Sequence, residues 1–317
     1  RNGDPLISSI QDFITGSFIL SSKNIFIGYN KFSSAVSSFL TGTDKNVAIG
    51  LIIPAILKPI VLWTGKQVIS CMLNPTPSCF VNINIRAKGK EYTKDEDLCY
   101  KDSFVVFHNG IHICGSLDKA SIGSGSKNTI FYAILKQYGA DLCAQIMLRL
   151  CRISTYFLTL YGFSIGIDDI MASLNLMKQM NILVDQGYSK CNEYIVDCLE
   201  KRLATQPGCT LEETLEAVIL RELSTIRDLS GRICLKELSP SCSPLIMALC
   251  GSKGSFINIS QMIACVGQQA ISGTRTPDGF ENRSLPRFQR FSKVPEAKGF
   301  VKNSFYTGLT PTEFYFH

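Results

Sequence analysis

Ser103-Phe-Val-Val-Phe-His-Asn-Gly-Ile-His-Ile-Cys-Gly-Ser-Leu117 is the stretch that decides the fold class. Two β-branched and aromatic runs flank Asn109-Gly110, a pair that supplies the two positive backbone angles of a type I′ turn, so the spacing predicts a β-hairpin. That reading also bears on His108 and His112. Four residues apart on a helix they would share a face; across a hairpin they do not converge, and no metal site is expected from them. After the hairpin the period changes from two to about 3.6. Ile130 to Gln137 and Asp141 to Leu160 carry apolar residues at three- and four-residue steps (Leu142, Ile146, Leu150, Ile153, Phe157, Leu160). Asp169 to about Leu199 reads as a further long helix, and Asn258 to Val266 as a shorter one. Thr210 to Ile233 is the clearest: Thr210 and Glu213 form a capping box, and Leu211, Leu215, Val218, Leu220, Leu223, Ile226 and Leu229 give an apolar face. A strand-bearing first part followed by a helical second part is an α+β, multi-domain arrangement.

Working outward, residues 1 to about 40 mix apolar and small polar residues around Asp12-Phe-Ile14 and Ile25-Phe-Ile27. Val47 to Trp63 is the most hydrophobic run, but it is too short for a membrane span and carries Pro54, Lys58 and Pro59. A buried loop-and-strand segment is expected there. Gly273 to Pro295 reads as Pro-, Gly- and Arg-bearing loop. At the end, Thr310-Pro-Thr-Glu313 announces a helix by its cap, its proline and its Glu three residues on. Few residues follow, and the chain opens on Arg1 rather than Met, so a piece of a larger chain is expected.

The chain has 317 residues, enough for two or three cores. It is 45% hydrophobic and 18% charged, with a net charge of +6 from 32 basic and 26 acidic residues. That excess is compatible with an anionic partner without demonstrating one. More than half of it lies between Arg275 and Lys302, where seven bases face three acids, and the stretch is either a solvated linker or a steering element for anions. Thirteen cysteines suggest zinc or disulfides at first sight. Their closest recurrent spacing is eight residues (Cys71/Cys79, Cys143/Cys151, Cys234/Cys242), which lacks the tight ligand pairs of zinc sites. With no signal peptide in front, free buried thiols in a reducing compartment are expected.

Hydrolytic and P-loop motifs are missing: Gly123-Ser-Gly-Ser-Lys127 has the wrong order for a Walker loop. Asp168-Asp169 reads as a helix cap. Gly251-Ser-Lys-Gly-Ser255 is different, because two glycines allow a tight turn, Lys253 offers a point charge, and the next helix directs amides to the same place.

The longer stretch Gly251-Ser-Lys-Gly-Ser-Phe-Ile-Asn-Ile-Ser-Gln-Met-Ile-Ala-Cys-Val-Gly-Gln-Gln269 resembles the funnel signature of the largest subunit of nuclear RNA polymerases. Pro54-Ala-Ile-Leu-Lys-Pro59 with Leu62-Trp-Thr-Gly-Lys-Gln67 resembles that family's pore region, and Gly162-Phe-Ser-Ile-Gly-Ile-Asp-Asp169 its Gly-Phe-Ser-x-Gly-Ile-Gly-Asp element. Gly299-Phe-Val-Lys-Asn-Ser-Phe-Tyr-Thr-Gly-Leu-Thr-Pro-Thr-Glu-Phe-Tyr-Phe-His317 resembles the approach to, and first turn of, the bridge helix. These matches are collinear over nearly the whole chain. Ser243 to Lys253, Gly123 to Tyr132 and Pro277 to Pro286 are worded most like the RNA polymerase III branch, rather than I or II. Asp168 departs from the family's glycine, which raises the question of whether its backbone needs a positive φ.

The resemblance implies a pore domain at 1–168, a funnel domain at 169–296 and, at 297–317, the start of the cleft domain and bridge helix. It implies DNA-directed RNA synthesis in a nuclear complex, with magnesium held by aspartates outside this stretch, so that no catalytic or metal residue is expected here. Implied partners are the second-largest subunit and other subunits, nucleoside triphosphates, the RNA 3′ end and template DNA, with no membrane. Lys253 matches a lysine that contacts the incoming triphosphate. Arg227, Arg232, Asn258, Gln261, Gln268 and Gln269 match funnel-lining positions, where helix-to-helix hydrogen bonding is the competing reading. A helical docking scaffold for transcription factors, with no nucleotide contact, is the alternative from a different class.

Overall fold

The structure, a computed structural model, describes residues 5–40, 52–75, 81–93 and 99–317. It is α+β and divides into two compact units: 1–164 with 246–254, and 165–245 with 255–317. The chain thus leaves the first unit, builds most of the second, and returns to the first for nine residues.

In the first unit the order is α1 (Asp12–Ser21), β1 (Phe26–Ile27), α2 (Tyr29–Phe39), β2 (Trp63–Thr64), α3 (Gly65–Leu73), β3 (Ile85–Lys88), β4 (Phe104–His108), β5 (Ile111–Cys114), α4 (Lys119–Ile122), α5 (Ile130–Tyr138) and α6 (Ala140–Tyr161). The expected hairpin is β4–β5, with Asn109 at φ 50° and Gly110 at φ 75°, as a type I′ turn requires. Strand β3 pairs antiparallel on its other side, from Ile85 opposite Phe107 to Lys88 opposite Phe104. The two histidines part as the pleat dictates. His108 is exposed, whereas His112 is buried with its ring stacked 4.5 Å from that of Phe107.

Helix α6 lies close to its expected bounds and buries Cys143, Ile146, Leu150, Ile153 and Phe157. Helices α1, α2 and α3 were not expected, although α2 buries Phe32, Ala35, Val36 and Phe39 at helical spacing. In α1 the residues Ile14 to Ser17 and Ile19 to Ser21 are all buried, so no polar face exists to mark a period. Its serines satisfy themselves inside the core: Ser17 Oγ lies 2.9 Å from Ser154 Oγ on α6, and Ser21 Oγ accepts the Leu117 amide at 2.7 Å. Helix α3 starts at a capping box between Thr64 and Gln67.

The run from Val47 to Trp63 corrects an expectation. Residues 47–51 lie outside the described residues. Of the remainder, Trp63 is buried and stacks on Phe32 at 5.1 Å, but Ile53, Leu57, Ile60 and Val61 are exposed. Pro54 and Pro59 deny the segment a ladder of donors, and between Ile52 and Leu62 the described residues pair only at the isolated Ile56–Leu62 bridge. Hydrophobicity alone did not bury it.

The second unit contains α7 (Leu174–Leu199), α8 (Leu211–Glu237), α9 (Ser243–Cys250, whose last residues belong to the first unit), α10 (Phe256–Ile263), β6 (Gly267–Gln268), β7 (Ala270–Ile271), β8 (Thr274–Arg275), β9 (Phe300–Val301) and α11 (Pro311–Phe316). Helices α7 and α8 form its antiparallel centre. They approach where Gly187 faces Ile226, close enough that a Cβ on Gly187 would stand 2.1 Å from Ile226 Cδ1. The capping boxes at Thr210–Glu213 and Thr310–Glu313 are both made, the first starting the clearest expected helix and the second the last one. Asp168 occupies a single 3-10 turn, Ile167–Asp169, and is absent from the residues with positive φ, so it does not need glycine's freedom. Asp169 clips that turn by accepting from the Gly166 amide at 2.9 Å and the Ser243 amide at 3.3 Å.

Every cysteine among the described residues is a free thiol. Burial pushes Cys71, Cys234 and Cys265 up to about 12 and Cys191 up to about 11, so these behave as apolar side chains. Burial, helped by the charge of Lys66, drives His112 the other way, down to about 3. An unfolded histidine titrates near 6.5, so below that pH the unfolded chain takes up a proton that the folded chain refuses. Stability of the first unit should therefore be level in His112 above about pH 6.5 and fall by up to ~1.4 kcal/mol per pH unit from there toward pH 3. Urea midpoints of the chain at pH 7 and pH 5 check this, and His112→Phe should remove that share of the slope.

Candidate functional site

The Gly251–Gly254 turn carries Lys253 at the end of α9. Gly251 (φ 77°) and Gly254 (φ 74°) hold left-handed conformations that place the lysine between two points only glycine occupies easily. The amides of Gly251 and Ser252 both bond the Met247 carbonyl at 3.1 Å, closing the helix C-terminus. Lys253 is exposed. It belongs to the first unit, whereas the six residues expected to line a funnel all belong to the second.

Within the second unit, α8 and α10 bring two of those six, Arg227 and Arg232, to one groove. That groove, of about 260 Å³, runs between the two helices, lined by Arg227, Asp228, Gly231, Arg232, Leu235, Phe256, Ile257 and Ser260. Gly231 opens it, since a Cβ there would stand 3.3 Å from Ser260 Oγ. The Ser260 hydroxyl is buried without a partner, a feature that nothing in the sequence signalled. Arg227 lays its aliphatic stem against Gly267 on β6 and turns its guanidinium to Asp228 at 3.2 Å. Arg232 and Asn258 are exposed, and Gln261 is half-buried.

The two glutamines differ from them. Gln268 is 9% exposed, and its amide nitrogen donates to the Lys298 carbonyl at 2.8 Å and the Gln269 carbonyl at 2.6 Å. Its geometry is that of a packing residue, with one amide oxygen still unpartnered. Gln269 is half-buried, with its side-chain oxygen 3.3 Å from His317 Nδ1.

The Arg275–Lys302 stretch is far less free than its composition suggests. Arg275, whose side chain has no exposure, meets Glu216 at 2.6 Å and the Lys293 carbonyl at 3.1 Å. Lys293 reaches Glu216 at 3.6 Å, Lys298 meets Asp278 at 2.6 Å, and Arg290 meets Glu281 at 2.9 Å. Four of the seven bases are thus paired with carboxylates. More than half of the bases in this stretch help to fasten a loop with little regular structure.

Glu313 fastens the last helix. One oxygen accepts the Lys302 amide at 2.8 Å and the Asn303 amide at 3.2 Å; the other accepts Asn303 Nδ2, the Thr310 amide and the Thr310 hydroxyl at 2.8–2.9 Å. Burial alone would raise this carboxyl, but those bonds outweigh it and hold it below the usual carboxylate range. Among the described residues no three of His, Cys, Asp and Glu are arranged to hold a metal ion, and no helix is long and apolar enough to cross a membrane.

Comparison with known proteins fixes the family. Residues 1–170 match RNA polymerase Rpb1, domain 3, and residues 196–301 match RNA polymerase Rpb1, domain 4. The chain belongs to the Rpb1 family. Along its whole length it is 56% identical to the DNA-directed RNA polymerase III subunit RPC1 of Homo sapiens, 47% to that of Schizosaccharomyces pombe and 42% to that of Plasmodium falciparum. It spans 23% of the length of the first two and 14% of the third. Within the Rpb1 family it is therefore a segment of the RNA polymerase III type of largest subunit, as the wording at Ser243–Lys253 and Pro277–Pro286 suggested.

Replacing Glu313 with Ala strands five donors at once, at an expected cost of about 2–3 kcal/mol. Hydrogen exchange should show faster exchange at Lys302, Asn303 and the first turn of α11, with Glu313→Gln intermediate.

Proposed function

We propose that this chain forms the pore and funnel of a nuclear RNA polymerase III, with residues 1–168 as pore, 169–296 as funnel and 297–317 opening the cleft and bridge helix. Nucleoside triphosphates enter by this route, and the RNA 3′ end leaves by it during template-directed synthesis. The observation that carries the reading is a collinear 56% identity to an RNA polymerase III largest subunit over all of the chain, including the Lys253 loop. The described residues do not fit the magnesium ions of the family's nucleotidyl transfer. When bound elsewhere in the enzyme, those ions would activate the attacking oxygen and steady the leaving pyrophosphate. The part left to this chain is to bind, steer and position.

Lys253 is the residue for that task. It is exposed, it stands on a loop held by two glycines, and a compact charge on a flexible stem can follow a triphosphate from entry to insertion. Arg227, Arg232, Asn258, Gln261 and Gln269 present polar groups along the funnel, and Gln268 braces the strand pair behind them. The second-largest subunit and other subunits, template DNA and the RNA 3′ end are the partners this role requires. The fragment is expected to be inactive without them.

The test is Lys253→Ala in the assembled polymerase. Loss of a triphosphate contact should raise the apparent KM for nucleotides on the order of tenfold with kcat little changed. An unchanged KM with impaired response to a cleavage or regulatory factor would instead favour a docking scaffold.

A further inference from the structure

Among the contacts that hold the nine returning residues in the first unit, one reaches a residue that lies outside the family signature. Thr15, in the middle of α1, is 2% exposed. Its hydroxyl donates to Ser252 Oγ at 2.8 Å, across 237 residues of chain. Ser252 is the residue immediately before Lys253. Its own hydroxyl donates to the Met247 carbonyl at 3.4 Å and takes the Cys250 thiol at 3.3 Å, which joins the loop, the end of α9 and α1 in one network.

A threonine hydroxyl is costly in this setting, since valine would fill the same space without a polar atom to satisfy. The bond back along its own helix, to the Gln11 carbonyl, is much the longer of its two at 3.4 Å. Ser252 is the close partner. On the other flank, Gly251 rests against the stem of Lys119, where a Cβ would stand 3.0 Å from Lys119 Cβ. The turn is therefore gripped on its near side by Thr15 and Lys119, and Gly254 frees the backbone after Lys253.

We propose that Thr15 is a positioning residue for Lys253, fixing through Ser252 the point from which the ammonium group reaches a nucleoside triphosphate. The inference rests on the nucleotide-binding reading of Lys253. A lysine on four methylenes tolerates some error, but a drifting anchor spreads its charge over positions that miss the phosphates, and small misplacements are expensive. The effect belongs to binding, so it should appear in KM.

The experiment is nucleotide addition by the assembled polymerase carrying Thr15→Val, Thr15→Ser, Ser252→Ala, Lys253→Ala and the Thr15→Val/Lys253→Ala pair. Thr15→Val should raise the apparent KM about threefold at unchanged kcat, and Thr15→Ser should restore it. In the Lys253→Ala background Thr15→Val should add nothing, because the charge it positions is gone. Should Thr15→Val fail to assemble, Ser252→Ala removes the same bond from the loop side and should give the same rise. A normal KM for Thr15→Val or Ser252→Ala beside a raised one for Lys253→Ala overturns the positioning role alone. So does an equal rise from Thr15→Val with and without Lys253. A normal KM for Lys253→Ala removes the nucleotide reading itself, a result that does not depend on Thr15.

Discussion

Helix α1 occupies the middle of the first unit because a glycine stands where it meets each of two neighbours: its own Gly16 against α6, and Gly65 of α3 against its last turn. At Gly16 a Cβ would stand 2.7 Å from the Ser154 carbonyl on α6, and at Gly65, which opens α3, a Cβ would stand 1.8 Å from the Leu20 carbonyl. Neither obstacle is a flexible side chain; both are backbone, so neither could yield. The approach that results is close enough for Ser17 and Ser154 to bond each other, and for Ser21 to take the amide of Leu117 ahead of α4. A helix with buried residues on every side must satisfy any hydroxyl it carries internally, and α1 does so with α6, with the amide of Leu117 and with the returning loop. The same closeness puts Thr15 within reach of the returning loop.

This is also why part of the fold could be read from the sequence and part could not. The hairpin at Phe104–Cys114 and the helix Leu211–Glu237 each have one buried and one wet face, and each carries a local end signal: Asn109-Gly110 in one, Thr210 with Glu213 in the other. Period and punctuation agree, and the elements were legible. In α1 the period is erased by burial on all sides. Strand β3 has its partner sixteen or more residues away and no turn signal of its own. The exposed Ile53, Leu57, Ile60 and Val61 show the converse failure, since an apolar run interrupted by two prolines reads as core without the backbone donors to join a sheet.

The candidate site divides in the same way. Lys253 stood out because Gly251-Ser-Lys-Gly-Ser255 forms a recognisable loop within a longer family signature. Gln268 belongs to that signature too, but only the fold reveals that its amide grips the Lys298 carbonyl. The basic stretch from Arg275 to Lys302 is the sharpest case. Composition counts charges but not their partners, and Glu216 lies fifty-nine residues before the arginine it meets. A guanidinium without exposure would be heavily penalised alone; the carboxylate at 2.6 Å and the Lys293 carbonyl make its burial tolerable. Such pairs add little net stability over apolar packing, yet they set which loop residue sits against α8.

The topology of the return then acquires a physical meaning. A loop held only by its own helix would share that helix's motion, and α9 passes from one unit to the other. Bonding Ser252 to Thr15 transfers the loop's reference frame to α1, whose own place is fixed by backbone contacts that cannot relax. Lys253 is thereby referred to a helix buried along most of its length, while the glycine at 254 gives the chain a left-handed turn on its way to α10. In the role proposed for Lys253, a charge meeting a mobile polyphosphate gains most from this arrangement: its stem supplies the compliance, and the core supplies the fixed origin from which that compliance is measured.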